Sequence, residues 1–468
     1  MRPKRNRQDE FDFDPSKLKV TNDHFKRYGA ISRLLEETPR IVELVHRDVA
    51  KALEAERRRD RSFRYTSETV LRMVICQALE NESQRGIVVR VDDSPRLRRF
   101  TRIFNGPMMN FTTYCNLKDR IRPVTWKKVN RALAKSAVEA EAVSGERLRL
   151  DTTAVETNIH YPSDSSLLRD TYRVIARLLR QAREIDPDAV RDVRLHDRAA
   201  RRHATWISRK AGRKQAGSAA LKERYTALFR LAEAILGLAG EAATALRRGL
   251  KASAYDIMGD ALAEEIAEQL EHYRGLGARV LDQARRRVLL GEVVPAKEKL
   301  YSVFEPHTEM LIRGKAGKPI EFGHMVFLQQ VDGCFVTDYE VFKQRPREPA
   351  LLARAVKRHE RVFGEVPSEL SADKGFWNGE AYRPVAEVVD IVAIGKQGRR
   401  TDAETRRETS PAFQAAQRFR AGIEGTISFL KRALGLARCL NKGWTHYAST
   451  VGAAIFAHNL WILARGAG

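Results

Sequence analysis

The sequence predicts an α/β chain: a β-rich core, split by a long helical insertion and preceded by an all-α region. Three observations carry that expectation. Residues 147–155 read RLRLDTTAV, with the alternation and β-branched content of a strand. From about residue 163 to 287 the chain turns to Ala, Leu, Arg and Glu at helical spacing. Short β-like runs then return over 298–342, and a helix, a strand and two more helices close the chain. With 468 residues there is length for several domains of roughly 100–200 residues each, and an apolar content of 43% excludes wholesale disorder.

Taken in order, residues 1–38 read as a mobile tail and lead-in, basic first and then acidic. A helical domain is expected over 39–145. In it Val70, Leu71, Val74, Ile75 and Leu79 share one helix face behind a Thr66 or Ser67 N-cap. A short helix follows around Gln84–Arg90, and a third opens at Ser94 with Pro95 in its first turn. Short helices studded with Arg suit a helix-turn-helix DNA-binding domain; a packing domain with a solvated basic surface fits the same pattern. The core is expected over 146–163 and 296–468, around an insertion at 164–295. Its strands would include KLYSVFE, EMLIRG, IEFGHMVFLQQV and CFVTDYEVF, set apart by turns such as GKAGKP and DGC, as in a meander. Ala350–Phe363 reads as a helix, Pro367–Ala372 leads into Asp373, and VVDIVAIG (388–395) reads as a buried strand. Gln414–Leu434 and Tyr447–Ala464 read as closing helices.

Charge narrows the partners. Lys and Arg number 84 against 60 Asp and Glu, a net charge of +24, which calls for a polyanion. Nucleic acid is favoured over membrane. The apolar stretch Val451–Ala457 stops at His458, well short of a spanning helix, and MRPKRNRQDE has no apolar segment behind it. Cys76, Cys115, Cys334 and Cys439 show no CxxC pairing, so neither a disulfide framework nor a zinc knuckle is indicated, and a cytoplasmic location is expected. His160, His307, His324 and His446 are isolated, without metal-ligand spacing. Phosphate-loop and Gly-x-Ser-x-Gly motifs are missing from the sequence, which removes ATP-driven motors and the common serine hydrolases.

Carboxylates remain. Asp151 lies inside an apolar strand, where its charge is costly. Asp373 follows a strand end and opens Asp-Lys-Gly-Phe; Glu424 lies in RFRAGIEGTISFLKRALG. Acidic oxygens are what Mg²⁺ selects, and two such ions suit in-line phosphoryl transfer. On one continuous helix Arg420, Glu424 and Lys431 fall within about 40° of one another. Spacing alone fits an ordinary Arg–Glu pair on a solvated face just as well.

These residues resemble a known family. Arg, three residues, Glu, six residues, Lys is the core of the signature around the catalytic Glu of many bacterial insertion-sequence transposases, here Arg420, Glu424 and Lys431. RLRLDTTAVETN resembles their segment around the first catalytic Asp, and LSADKGFWN the segment around the second. HYPSDSSLLRD and GKPIEFGHMVF extend the likeness, which runs from about residue 65 to 464. The resemblance implies an RNase H-like DDE catalytic domain behind a helical N-terminal domain. It implies Asp151, Asp373 and Glu424 as catalytic and metal-binding residues, with two Mg²⁺ ions for which Mn²⁺ can substitute. Arg420 and Lys431 would grip phosphates of double-stranded DNA, both transposon terminal repeats and target, on which the chain would assemble as a dimer or higher. Gln417 stands where the family usually has Tyr. Two rivals differ in kind: an RNase H-like nuclease that cuts without joining, and a domesticated DNA-binding protein without metal chemistry.

One basic segment stands apart. RAARRHATWISRKAGRK (198–214) holds seven Lys/Arg and no acid. Arg198, Arg202, Arg209 and Arg213 recur at helical spacing with Trp206 on the same stripe, as a DNA-tracking helix with a stacking aromatic would. A solvated face with Trp206 in the local core reads equally well.

Overall fold

The computed structural model describes residues 18–59, 65–190, 194–210, 219–315 and 317–466. It is mixed α/β, with an N-terminal helical region and a mixed sheet. The chain divides into two compact units, 1–158 with 323–468, and 159–322.

The first unit begins with seven helices: α1 (Lys19–Glu37), α2 (Pro39–Arg59), α3 (Ser67–Leu79), α4 (Gln84–Asp93), α5 (Pro95–Phe100), α6 (Phe111–Lys118) and α7 (Pro123–Glu139). Residues 1–17 of the expected tail lie outside the described residues, and α1 is a correction to the rest: Tyr28, Ile31 and Leu35 recur on one face and are buried. Caps set the other boundaries. Thr66 accepts from the Thr69 amide, Ser83 from Gly86 and Ser94 from Leu97, so the first orphan amides of each helix are satisfied locally. α3 is enclosed on all sides, and its Arg72, fully buried, is met by Glu68 one turn earlier at 2.9 Å.

Strand β1 (Arg147–Thr157) follows and leads into the second unit. There α8 (Asp164–Ile185), α9 (Asp197–Lys210), α10 (Ala219–Lys251) and α11 (Ile257–Val288) pack around Leu168, Ile175, Leu228, Phe229 and Leu270. A capping box at Ser163 starts α8, and Asp256 caps α11. KLYSVFE is not a strand. Ser302 accepts from the amides of Phe304 and Glu305, and this turn overrides the alternation of Leu300, Tyr301 and Val303. β2 (Glu309–Lys315) then lies beside β3 (Lys318–Gln330), which carries the chain back into the first unit.

There the chain continues through β4 (Val336–Val341), α12 (Leu352–Phe363), β5 (Glu369–Ser371), α13 (Gly379–Ala386) and β6 (Ile391–Ala393). It ends with α14 (Asp402–Thr409), α15 (Pro411–Ala421), α16 (Ile423–Arg432), β7 (Arg438–Cys439) and α17 (Trp444–Gly466). β1 pairs antiparallel with β3 and parallel with β5 and β7; β3 pairs antiparallel with β4, and β5 parallel with β6. A central β1 with an antiparallel flank and a parallel flank is the result. The N-terminal helices share their core with this sheet: Ile31, Val45 and Trp126 belong to the same cluster as Leu148, Phe327, Leu370 and Phe456. α17 is long and apolar enough to cross a membrane by length and composition, yet 72% of that stretch is buried, as in a core helix.

Candidate active site

Strand alternation puts Arg147, Arg149 and Asp151 on one face of β1 and Leu148, Leu150 and Thr152 on the other. The first set is an unusual trio for a central strand, and it builds the site. β1 and β5 pair from Arg147↔Glu369 to Arg149↔Ser371. Asp151 and Asp373 each lie two residues beyond that last pair, so they follow equivalent positions on neighbouring parallel strands, spaced about 4.8 Å apart. Asp373 then turns the chain: its Oδ1 accepts from the Gly375 amide at 2.8 Å, capping a single 3₁₀ turn.

The expected closing helix is broken. α15 ends at Ala421 and α16 starts at Ile423, so Arg420 and Glu424 fall on either side of Gly422. The physical reason is Arg149. Its Nη1 donates to the Phe419 carbonyl at 2.6 Å, which also accepts from the Gly422 amide, and a Cβ on Gly422 would stand 2.2 Å from that Nη1. A side chain from β1 wedges into the helical ladder where glycine leaves room.

Arg149 is 5% exposed, and its contacts are neutral: Gln330 Oε1 at 2.8 Å, the Cys334 sulfur at 3.5 Å, and the Phe419 ring below the guanidinium. Burial pulls its pKa down, partly offset by the Cys334 thiol. The Cys334 carbonyl in turn accepts from Gln330 Nε2 and His458 Nε2, which secures a non-glycine residue at φ 66°.

Despite the break, Arg420 reaches both acids. Its Nη1 lies 3.9 Å from Asp151 Oδ2 and its Nη2 3.6 Å from Glu424 Oε1. Asp151 is largely enclosed, with 13% of its side chain exposed, while Glu424 is 70% exposed at the start of α16. Lys431 is half-buried two turns further along α16, about 10 Å up the helix axis from Glu424. Gln417 makes backbone contacts. Its Nε2 donates to the carbonyls of Ala372 and Ala393, tying α15 to the strand end that carries Asp373.

Among the described residues no three His, Cys, Asp or Glu side chains stand close enough to hold a metal ion together. Asp151, Asp373 and Glu424 are the right donors for a hard divalent cation, and in this arrangement the Arg420 guanidinium supplies the positive charge between Asp151 and Glu424.

Residues 19–120, the helical region before β1, match the family model of a transposase domain (DUF772). That match supports a transposase. No curated protein and no solved structure matched the chain.

The helices within the matched region keep their arginines largely engaged: Arg85 stacks on Phe111, Arg98 pairs with Asp92, and Arg102 with Glu36. In the second unit Arg198, Arg202 and Arg209 are exposed on α9, while Arg213 lies outside the described residues. Trp206 is half-buried against that unit's core with the Arg224 guanidinium over its ring. The isolated histidines are structural or surface groups. His160 pairs with Asp170 and His307 with Glu305, His446 lies 3.7 Å from Asp119, and His324 is buried edge-on to Trp444 and Tyr447. Sequence reasoning missed Arg149, although an Arg two residues before Asp151 on a buried strand marks the same polar face.

Proposed function

We propose that the chain is an RNase H-like DDE transposase that binds the ends of its insertion sequence, cleaves them and joins the freed 3′-OH to target DNA. One observation carries the reading: Asp151 and Asp373 each lie two residues past the last β1–β5 pair, and Arg420 lies between Asp151 and Glu424 on α16. The transposase-domain match upstream and the strand order, with antiparallel β3–β4 on one side of β1 and parallel β5–β6 on the other, support it.

Asp151, Asp373 and Glu424 would hold Mg²⁺, which when bound activates the attacking oxygen and stabilises the leaving one. The protein's own part is to fix these carboxylates on β1, on the Asp373 turn and on α16. Arg420 lies between two acids, and it and Lys431 would grip phosphate oxygens of the DNA. The net charge of +24 favours extended association with duplex DNA, and the exposed arginines of α9 add phosphate contacts of their own. A cytoplasmic, nucleoid-associated enzyme assembling as a dimer or larger on its DNA is the accompanying proposal.

The test uses the terminal repeats flanking the gene. Purified protein, a pre-cut end bearing a 3′-OH, a target plasmid and Mg²⁺ should yield covalently joined product. Cutting of the intact end without joining of the pre-cut one makes it a nuclease. Specific binding with neither reaction makes it a DNA-binding protein.

A further inference from the structure

A fourth carboxylate touches both acid-bearing segments. Glu348 opens the 3₁₀ turn Glu348–Leu351 between β4 and α12, on a piece of chain that carries none of the three signature acids. Its Oε1 accepts from Thr152 Oγ1 at 2.6 Å, a short, charge-assisted bond. Its other oxygen lies over Gly375, where a Cβ would stand 2.2 Å from Oε2. Thr152 follows Asp151 directly and is 3% exposed; the Gly375 amide is the donor to Asp373 Oδ1. One side chain therefore meets the chain beside both Asp151 and Asp373.

That contact falls where the β1–β5 ladder ends, although β1 stays paired with β3 on its other side. The β1–β5 pairing runs out at Arg149↔Ser371, and both acids lie beyond it. Past the last paired residues a ladder no longer fixes the separation of two strands, and Glu348 spans that stretch. Thr152 points to the face of β1 opposite Asp151, so the carboxylate that holds it works from behind the acids. We propose that Glu348 is a positioning residue, a clasp between Thr152 and the Asp373 turn that sets the spacing of Asp151 and Asp373 for phosphoryl transfer. The proposal rests on the DDE reading above. Gly375 belongs to the same device. It does not lie in the left-handed region, so the backbone tolerates a side chain there; a Cβ would press hardest on Glu348 Oε2, at 2.2 Å, and more lightly on Asp373 Oδ1, at 3.0 Å.

The experiment is single-turnover cleavage of end DNA across a Mg²⁺ titration, with end binding and melting temperature measured in parallel. Glu348→Gln keeps an oxygen for Thr152 and should cleave within roughly threefold of wild type. Glu348→Ala should lose about 10–100-fold in rate at saturating metal with end binding unchanged, as expected for displaced reacting groups. Thr152→Val and Gly375→Ala should each fall similarly, and combining either with Glu348→Ala should add nothing further. Should Glu348→Ala fail to fold, Thr152→Val and Gly375→Ala, alone and together, carry the same test. Cleavage by Glu348→Ala within about twofold of wild type, or losses that multiply in the double variants, would overturn the clasp. So would Glu348→Gln losing as much as Glu348→Ala, because that requires the charge itself. Asp151→Asn and Asp373→Asn are run alongside: if they cut normally the DDE reading fails, and if they are dead while Glu348→Ala is normal only the clasp fails.

Discussion

The unit formed by residues 159–322 and the unit around the sheet are packed differently, although both bury some charge: His307 and Glu305 pair inside the former. In the first, α8, α10 and α11 are 22 to 33 residues long, with Leu, Ile, Phe and Ala inside and ion pairs such as Arg247–Glu271 and Arg285–Glu233 on the surface. In the second, polar groups stand in the interior. Arg149 is buried among neutral partners, Asn459 pairs with both backbone groups of Val336, and His359 and His458 are enclosed. Surface pairs contribute little to stability, whereas buried polar groups must be satisfied or they cost heavily. Regular amphipathic packing dominates one unit; in the other, buried Arg149 breaks a helix between Arg420 and Glu424.

The sharpest way to break this contrast is to alter a buried side chain in each interior. Leu228→Ala, at a fully buried position in α10, should cost about 2–5 kcal/mol in urea unfolding. Arg149→Met should cost less, on the order of 1–2 kcal/mol, because the loss of donors to Phe419 and Gln330 is offset by removal of a desolvated charge. Its larger effect should be on cleavage, through a loosened α15–α16 junction. Equal stability losses with unchanged cleavage would erase the distinction.

Acid should find the sheet-bearing unit first. Burial pulls His359 and His458 down from 6.5 to about 4, only partly countered for His458 by its hydrogen bond with the Cys334 carbonyl. With folded pKa values below the unfolded ones, this stability is complete above about pH 6.5 and is lost as pH falls toward 4. Each histidine contributes on the order of 1–3 kcal/mol. Unfolding midpoints measured from pH 7 to 4 should decline, and His458→Gln should flatten the decline. A pH-independent midpoint would contradict neutral burial.

The smallest effect belongs to the surface of the other unit. Replacing Arg198, Arg202 and Arg209 with Gln should leave the melting temperature alone and weaken binding to specific and random DNA alike. Each phosphate that the variant no longer neutralises should reduce the log–log salt slope by nearly one. Trp206→Ala, at a half-buried position against the local core, should lower the melting temperature more than the DNA affinity. Parallel salt slopes would mean that this face of α9 does not meet DNA.

Local signals made much of this architecture readable. Periodicity marked α3, the strand alternation marked β1, and the Ser94–Pro95 pair marked the start of α5. The three proposed acids stand out in the sequence because each sits in an odd local setting: a charge in an apolar strand, an Asp at a Gly-containing turn, a carboxylate between cations. What stayed hidden depends on distant parts of the chain. Arg149 splits a helix some 270 residues away, and Glu348 acts on Thr152 from 196 residues away. KLYSVFE misled because alternation is shared by a strand and by a buried turn that a serine hydroxyl organises.

The most direct test of the central claim is the single-turnover cleavage rate of one insertion-sequence end by wild type, Asp151→Asn, Asp373→Asn and, as a control from the helical unit, Asp188→Asn. Asp188 lies in a short 3₁₀ turn and carries no part of the proposed site. The account expects the first two variants to bind the end normally and to show no cleavage above background, because the amide keeps the shape and removes the charge a divalent cation needs. Asp188→Asn should match wild type. Cleavage at the wild-type rate by Asp151→Asn or by Asp373→Asn would contradict the account.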